Sequence, residues 1–209
     1  STPYILLLVL NGVTCLAIVG VTWRHREGNP AALSLTFCWT AAMVWVFGYA
    51  FYLGSSQFAA KWFWLSFTYI GIAFFPLGTL WVVLSYTGRN DLGARRQLIG
   101  GMSVPVVLLL FIWTNPLHEL FMSDMRLEMT SAGFALLTGQ REIGFWVVYG
   151  YGYLIVAATL TIGVQALLSA SGVFRRQIGL LVLSSAPLLV ANLLYLFDAS
   201  PLAGFDLSP

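Results

Sequence analysis

Aromatic and amide side chains recur in this chain at spacings that would gather them at one level of a helical bundle. Trp146, Tyr149 and Tyr153 stand at i, i+3 and i+7, which is one face of a helix. Asn192 and Tyr195 repeat the three-residue step in another apolar stretch, and Asn11, Tyr49 and Trp64 reach comparable positions in three more. The chemistry such a set offers is recognition, because an aromatic wall with a few amide hydrogen bonds suits a small ligand. It also suits a plainer role. Trp and Tyr collect at membrane interfaces whatever the function, and one Asn can join two helices. At 1.5 Å of rise per residue, Tyr149 lies roughly 9 Å and Asn192 roughly 8 Å below the ends of their stretches. An amide at that depth in hydrocarbon needs a partner. Asn11 and Asn192 are therefore expected to face inward, which keeps a pocket open as a reading beside the plainer one.

A second polar group lies between two apolar stretches: Asn115, His118, Glu119 and Asp124. The last three are metal-capable, but in a loop without helical spacing they make a poor ligand set. Hydrogen bonds that cap and fold the loop are the expected work of Asn115 and His118, and no metal or cofactor is expected. No ionisable residue stands near the middle of an apolar stretch, which disfavours proton pumps and ion-coupled transporters. Lys61 is close enough to the end of its stretch to snorkel. No phosphate-binding glycine loop, zinc-protease pattern or hydrolase arrangement occurs, so the chain is read as non-catalytic.

The elements that carry these residues follow from composition. Of 209 residues, 59% are hydrophobic and 9% charged, with a mean hydropathy of +0.84. A soluble domain is about 25% charged, so the chain is an integral membrane protein. Cys15 and Cys38 both fall within apolar stretches and are read as packing residues. Basic residues are scattered, which argues against a nucleic-acid partner. Six stretches are expected to span: Tyr4–Val21, Ala31–Leu53, Phe58–Tyr86, Gln97–Trp113, Ile143–Leu168 and Gln177–Phe197. They lack period-2 alternation, so the fold class is an all-α polytopic helical bundle rather than a barrel. Pro76, Pro105 and Pro187 fall inside spans and are candidate bends.

Orientation comes from the basic residues. Arg24, Arg26, Arg89, Arg95, Arg96, Arg175 and Arg176 lie on one side, against Lys61, Arg126 and Arg141 on the other. The richer side is expected to be cytoplasmic, which puts the amino terminus outside a cell (inner) membrane. The long connection between spans four and five is then extracellular. Within it Met125–Thr130 alternates apolar and polar, Ser131-Ala132-Gly133 offers a turn, and Phe134–Thr138 returns. That reads as a β-hairpin. A lone hairpin is marginal in water, so it is expected to lie on the helix ends as a lid.

Several phrases along nearly the whole chain carry a resemblance. They are Trp64 with Tyr69-Ile70-Gly71, Pro76, Tyr86-Thr87-Gly88, Thr114-Asn115-Pro116-Leu117-His118 with Leu120-Phe121, and Gly144-Phe145-Trp146 with Tyr149 and Tyr151. Pro187, Asn192-Leu193-Leu194-Tyr195 and the stretch from Leu202 to Pro209 complete the set. Together they resemble the amino-terminal seven-transmembrane sensor region of bacterial and archaeal histidine kinases, found also on diguanylate cyclases. The resemblance implies a seventh helix after Pro209, a cytoplasmic kinase and a homodimer formed through it. The functional expectation is a membrane sensor whose small ligand or lipid binds beneath the hairpin. Its candidate residues are Trp64, Trp146, Tyr149, Tyr153, Asn192 and Tyr195, with Asn115 and His118 shaping the lid. A small-solute transporter is the alternative, and would show internal repeats and a midplane site. A ligand-free anchor for kinase dimers is a third reading.

Overall fold

In hydrocarbon a backbone must satisfy its own N–H and C=O groups, and an unbroken apolar stretch does so as a helix. The computed structural model describes residues 2–89, 99–130 and 133–169, together with residues 175, 179 and 190. In order these form α1 (Thr2–Arg24), α2 (Pro30–Gly54), α3 (Phe58–Tyr86), α4 (Ser103–Trp113) and the single turn α5 (Asn115–His118). β1 (Met122–Met129), β2 (Ala135–Arg141) and α6 (Ile143–Ser169) follow. Among the described residues four helices, α1, α2, α3 and α6, are long and apolar enough to cross a membrane. The expected fourth span is represented by an apolar helix over Ile99–Trp113 that includes α4, and Gln97 and Leu98, where the span was expected to begin, lie outside the described residues. The sixth expected span, residues 177–197, lies outside the described residues, and Pro187, Asn192 and Tyr195 lie there with it.

Local sequence sets the helix ends. Asn29 caps α2, its Oδ1 accepting from the backbone N–H of Ala31 at 3.1 Å and Ala32 at 3.3 Å, and Pro30 supplies the first residue. Pro76 sits inside α3, which continues through it. Pro105 lies within the apolar helix Ile99–Trp113, close to the turn at Met102 that interrupts it, and its missing N–H leaves the Gly101 carbonyl without its helical bond, so it stays a candidate bend.

Small residues bring α2 and α3 together. A Cβ added at Gly71 would stand 2.5 Å from the Ala41 carbonyl oxygen, one at Gly78 would meet Cys38 Cα at 2.8 Å, and one at Gly48 would meet Thr68 Oγ1 at 2.7 Å. Such close backbone approach is how helices associate where burial of apolar surface offers no gain. Helix α1 packs on α2 through Leu8, Gly12 and Cys15, and Thr36 Oγ1 donates to Thr22 Oγ1 at 2.8 Å across the pair. Asn11 departs from expectation: it is exposed, because the face of α1 that meets α2 is the one carrying residues 8, 12 and 15. Helix α6 packs against α3.

The strands pair antiparallel, from Met122 opposite Arg141 to Met129 opposite Ala135. Each extends three residues further toward the helices than the alternation suggested. Between the Ser123–Gln140 and Arg126–Thr138 pairs the register shifts, so Asp124 and Met125 together oppose Gly139 in a bulge, with Asp124 at a positive φ of 49°. At the other end Gly133, with φ 79°, supports the reversal.

Candidate functional site

The hairpin lies on one end of the bundle, over two adjoining aromatic clusters. The first gathers Leu8 of α1, Val46, Tyr49, Tyr52 and Leu53 of α2, and Phe134, Leu136 and Leu137 of the hairpin. Tyr4 meets Phe134 edge-on at 6.4 Å, and Tyr49 stacks on Tyr52 at 5.8 Å. The second gathers Tyr69 of α3, Ile112 of α4, Phe121, Met122, and Phe145, Val148 and Tyr149 of α6. Tyr69 meets Phe121 edge-on at 5.1 Å, and Phe145 stacks on Tyr149 at 4.4 Å. Trp62 and Leu65 pack against both clusters and join them.

The expected site residues divide among these surroundings. Tyr149 is buried in the second cluster and Tyr153 packs against it. Trp64 packs against the first cluster, but its ring stacks at 4.6 Å on Phe51, a side chain that is itself exposed. Trp64 thus takes part in an outward aromatic belt. Trp146 is 45% exposed, since one step along α6 from Phe145 turns it away from the cluster. The described residues therefore do not bring Trp64 and Trp146 to Tyr149 as one wall, and Asn192 and Tyr195 lie outside them.

Asn115 and His118 do fold the loop. Asn115 is fully buried. Its Oδ1 accepts from the N–H of Phe121 at 2.8 Å and of Met122 at 3.2 Å, while its Nδ2 donates to the Met122 carbonyl at 2.8 Å. Both nitrogens of His118 are engaged. Nδ1 accepts from the Leu120 N–H at 3.0 Å and Nε2 lies 3.1 Å from the Phe111 carbonyl. The ring is therefore assigned the tautomer with its hydrogen on Nε2, and it stacks on Phe111 at 4.6 Å.

Sequence reasoning missed Lys61 and Tyr52. Lys61 does not snorkel: it is 0% exposed. Its face of α3, which also carries Thr68, Gly71 and Gly78, is the one turned to α2. Nζ donates to the Tyr52 carbonyl at 2.7 Å and sits 4.4 Å from the centre of the Tyr52 ring. That carbonyl belongs to the last turn of α2, whose negative dipole end favours a cation. The Tyr52 hydroxyl accepts from the Leu137 N–H at 2.8 Å, so one tyrosine ties the buried cation to β2. One signal was available in advance: Lys61 is the single lysine of the chain.

Comparison with known proteins agrees with this architecture. Residues 7–209 match the family described as the N-terminal 7TM region of histidine kinase. No curated protein matches the chain.

Proposed function

Since the chain belongs to the N-terminal 7TM region of histidine kinase, a non-catalytic membrane input domain, we propose that it detects a ligand at the hairpin end. The hairpin end is the extracellular end, the amino terminus lies outside, and the output is a two-component kinase that works as a homodimer. The observation that carries this reading is the bond from the Leu137 N–H to the Tyr52 hydroxyl, which couples a surface hairpin directly to a membrane helix. A ligand that prefers one hairpin position over another then shifts the helices by its difference in affinity, and by no more than that. Tyr149 and Tyr153 on α6 and Tyr52 on α2 are the ring-bearing residues proposed to feel it. The basic residues that set the orientation are those of the sequence argument, with Arg24, Arg26 and Arg89 on the cytoplasmic rim.

The test uses the intact parent kinase in vesicles. Tyr149→Phe and Asn192→Ala should change ligand-stimulated autophosphorylation, and a response unaltered by both removes these residues from the site. Labelling of a cysteine placed at Arg95 should occur only from the cytoplasmic side. Labelling from outside overturns the orientation and the sensor reading with it.

A further inference from the structure

We infer that Lys61 is the anchor for a ligand carrying one carboxylate on an apolar body, held at the junction of α2, α3 and the hairpin. The inference rests on the sensor reading and gives its site a ligand chemistry. A fully buried ammonium is costly unless it is paired and hydrogen-bonded. Lys61 has three N–H donors and spends one, on the Tyr52 carbonyl. Among the described residues the ion pair is Arg126 with Glu128, on the exposed hairpin, and no carboxylate faces Lys61. Capping the end of α2 explains one donor and leaves two for a partner. A lysine is a single point charge, and in a fully buried place a partner of one negative charge balances it, where the further charge of a phosphate would stay uncompensated, so one carboxylate answers it. Its neighbourhood selects the rest of the ligand. The Tyr52 ring lies 4.4 Å from Nζ, and Trp62 and Leu65 pack against the cluster that holds Tyr52; such aromatic and aliphatic surface is what an apolar body covers and a hydrophilic acid does not. Tyr52 also supplies the linkage outward. Its carbonyl and ring hold the cation while its hydroxyl holds Leu137, so a carboxylate drawing Lys61 away disturbs the hairpin attachment.

Such a carboxylate comes either from the bilayer, as a fatty acid, or from solution, as an aromatic acid. The experiment separates them. The full chain is reconstituted in phosphatidylcholine vesicles, and quenching of its tryptophans is titrated with dibrominated stearate, its methyl ester, and bromophenylacetate. The expected result is saturable quenching by an acid but not by the ester. Saturation by stearate assigns the bilayer source, and saturation by bromophenylacetate alone assigns the aqueous one. Lys61→Met should weaken the saturable phase at least about tenfold, the worth of a charge-assisted hydrogen bond, and Lys61→Arg should retain it. Carbodiimide coupling of the bound acid should place one acyl group on Lys61 of the wild-type chain, a readout independent of whether the Met variant folds. Equal quenching by acid and ester, or coupling only at the amino terminus, overturns the inference. So does a wild-type chain whose Lys61 couples to its own Asp198 or Asp206 instead. An acid that binds at Lys61 but leaves kinase output unchanged supports the site and removes the sensor reading.

Discussion

The two clusters beneath the hairpin have similar aromatic content but opposite polar logic. In the second, Asn115 is buried and uses its oxygen twice and its amide once on the backbone of residues 121 and 122. In the first, Lys61 is buried as completely and makes one hydrogen bond. Asn115 thus fills three of its four hydrogen-bonding positions, against one of three for Lys61, and a network so nearly filled is a folding device. One that holds a charge in reserve is suited to receive something. On that contrast the hydrogen-bonded loop around Asn115 is a fixed seat, and the attachment of Leu137 to Tyr52 is the responsive joint.

Four substitutions break or sharpen that contrast. The largest effect is expected from Asn115→Ala, which orphans two N–H groups and a carbonyl in the interior and should cost about 3–5 kcal/mol, measured by unfolding in detergent micelles. A cost below about 1 kcal/mol, the net worth of one ordinary hydrogen bond, would erase the distinction between seat and responsive joint. Gly144→Ala comes next. The added Cβ would run into the Phe111 ring and stand 2.8 Å from the Leu120 carbonyl oxygen. The ring can turn but the backbone cannot, so a loss of about 2–3 kcal/mol is expected in the same assay.

Tyr52→Phe keeps the ring and carbonyl that hold Lys61 and deletes the hydroxyl that holds Leu137. About 1–2 kcal/mol is expected, read as faster amide hydrogen exchange at Leu137 and along β2, with the hydrogen-bonded loop around Asn115 unchanged. Spread of the faster exchange to Phe121 and Met122 would show seat and joint to be one unit. The smallest effect is expected at Trp146→Leu, where a side chain 45% exposed faces away from the second cluster; stability should change by less than about 1 kcal/mol.

Much of this architecture was readable in the amino-acid order, and the failures share a cause. Span ends came within a few residues because charged, Gly and Pro clusters interrupt hydrophobicity at Arg24, Asn29–Pro30, Gly54 and Ile143. The hairpin was readable because Met125–Thr130 alternates and Gly133 can take the positive φ of the turn. The roles of Asn115 and His118 followed from their place beside a proline in a loop. What depth along a helix cannot give is direction around it. Lys61 lies one turn from the start of α3, near enough to water to snorkel, yet it falls on the strip that meets α2. Asn11 lies deep in α1, and the strip that meets α2 is Leu8, Gly12 and Cys15. Trp146 and Tyr149 are three residues apart, but Phe145 and Tyr149, four apart, are the pair that stack. Azimuth is set by which helices become neighbours, a property of the whole bundle.

The glycine contacts between α2 and α3 have a mechanical consequence. From Thr68 to Gly78 the two backbones lean on each other over about 15 Å of α3, and rings interlock beside the contact, Phe37 with Phe74 and Trp45 with Phe75. Neither rod can spin on its own axis without driving Trp45 or Cys38 into the opposite strand of chain, so the pair forms a stiff keel. Any stroke delivered at the Tyr52 end must tilt that keel as one piece.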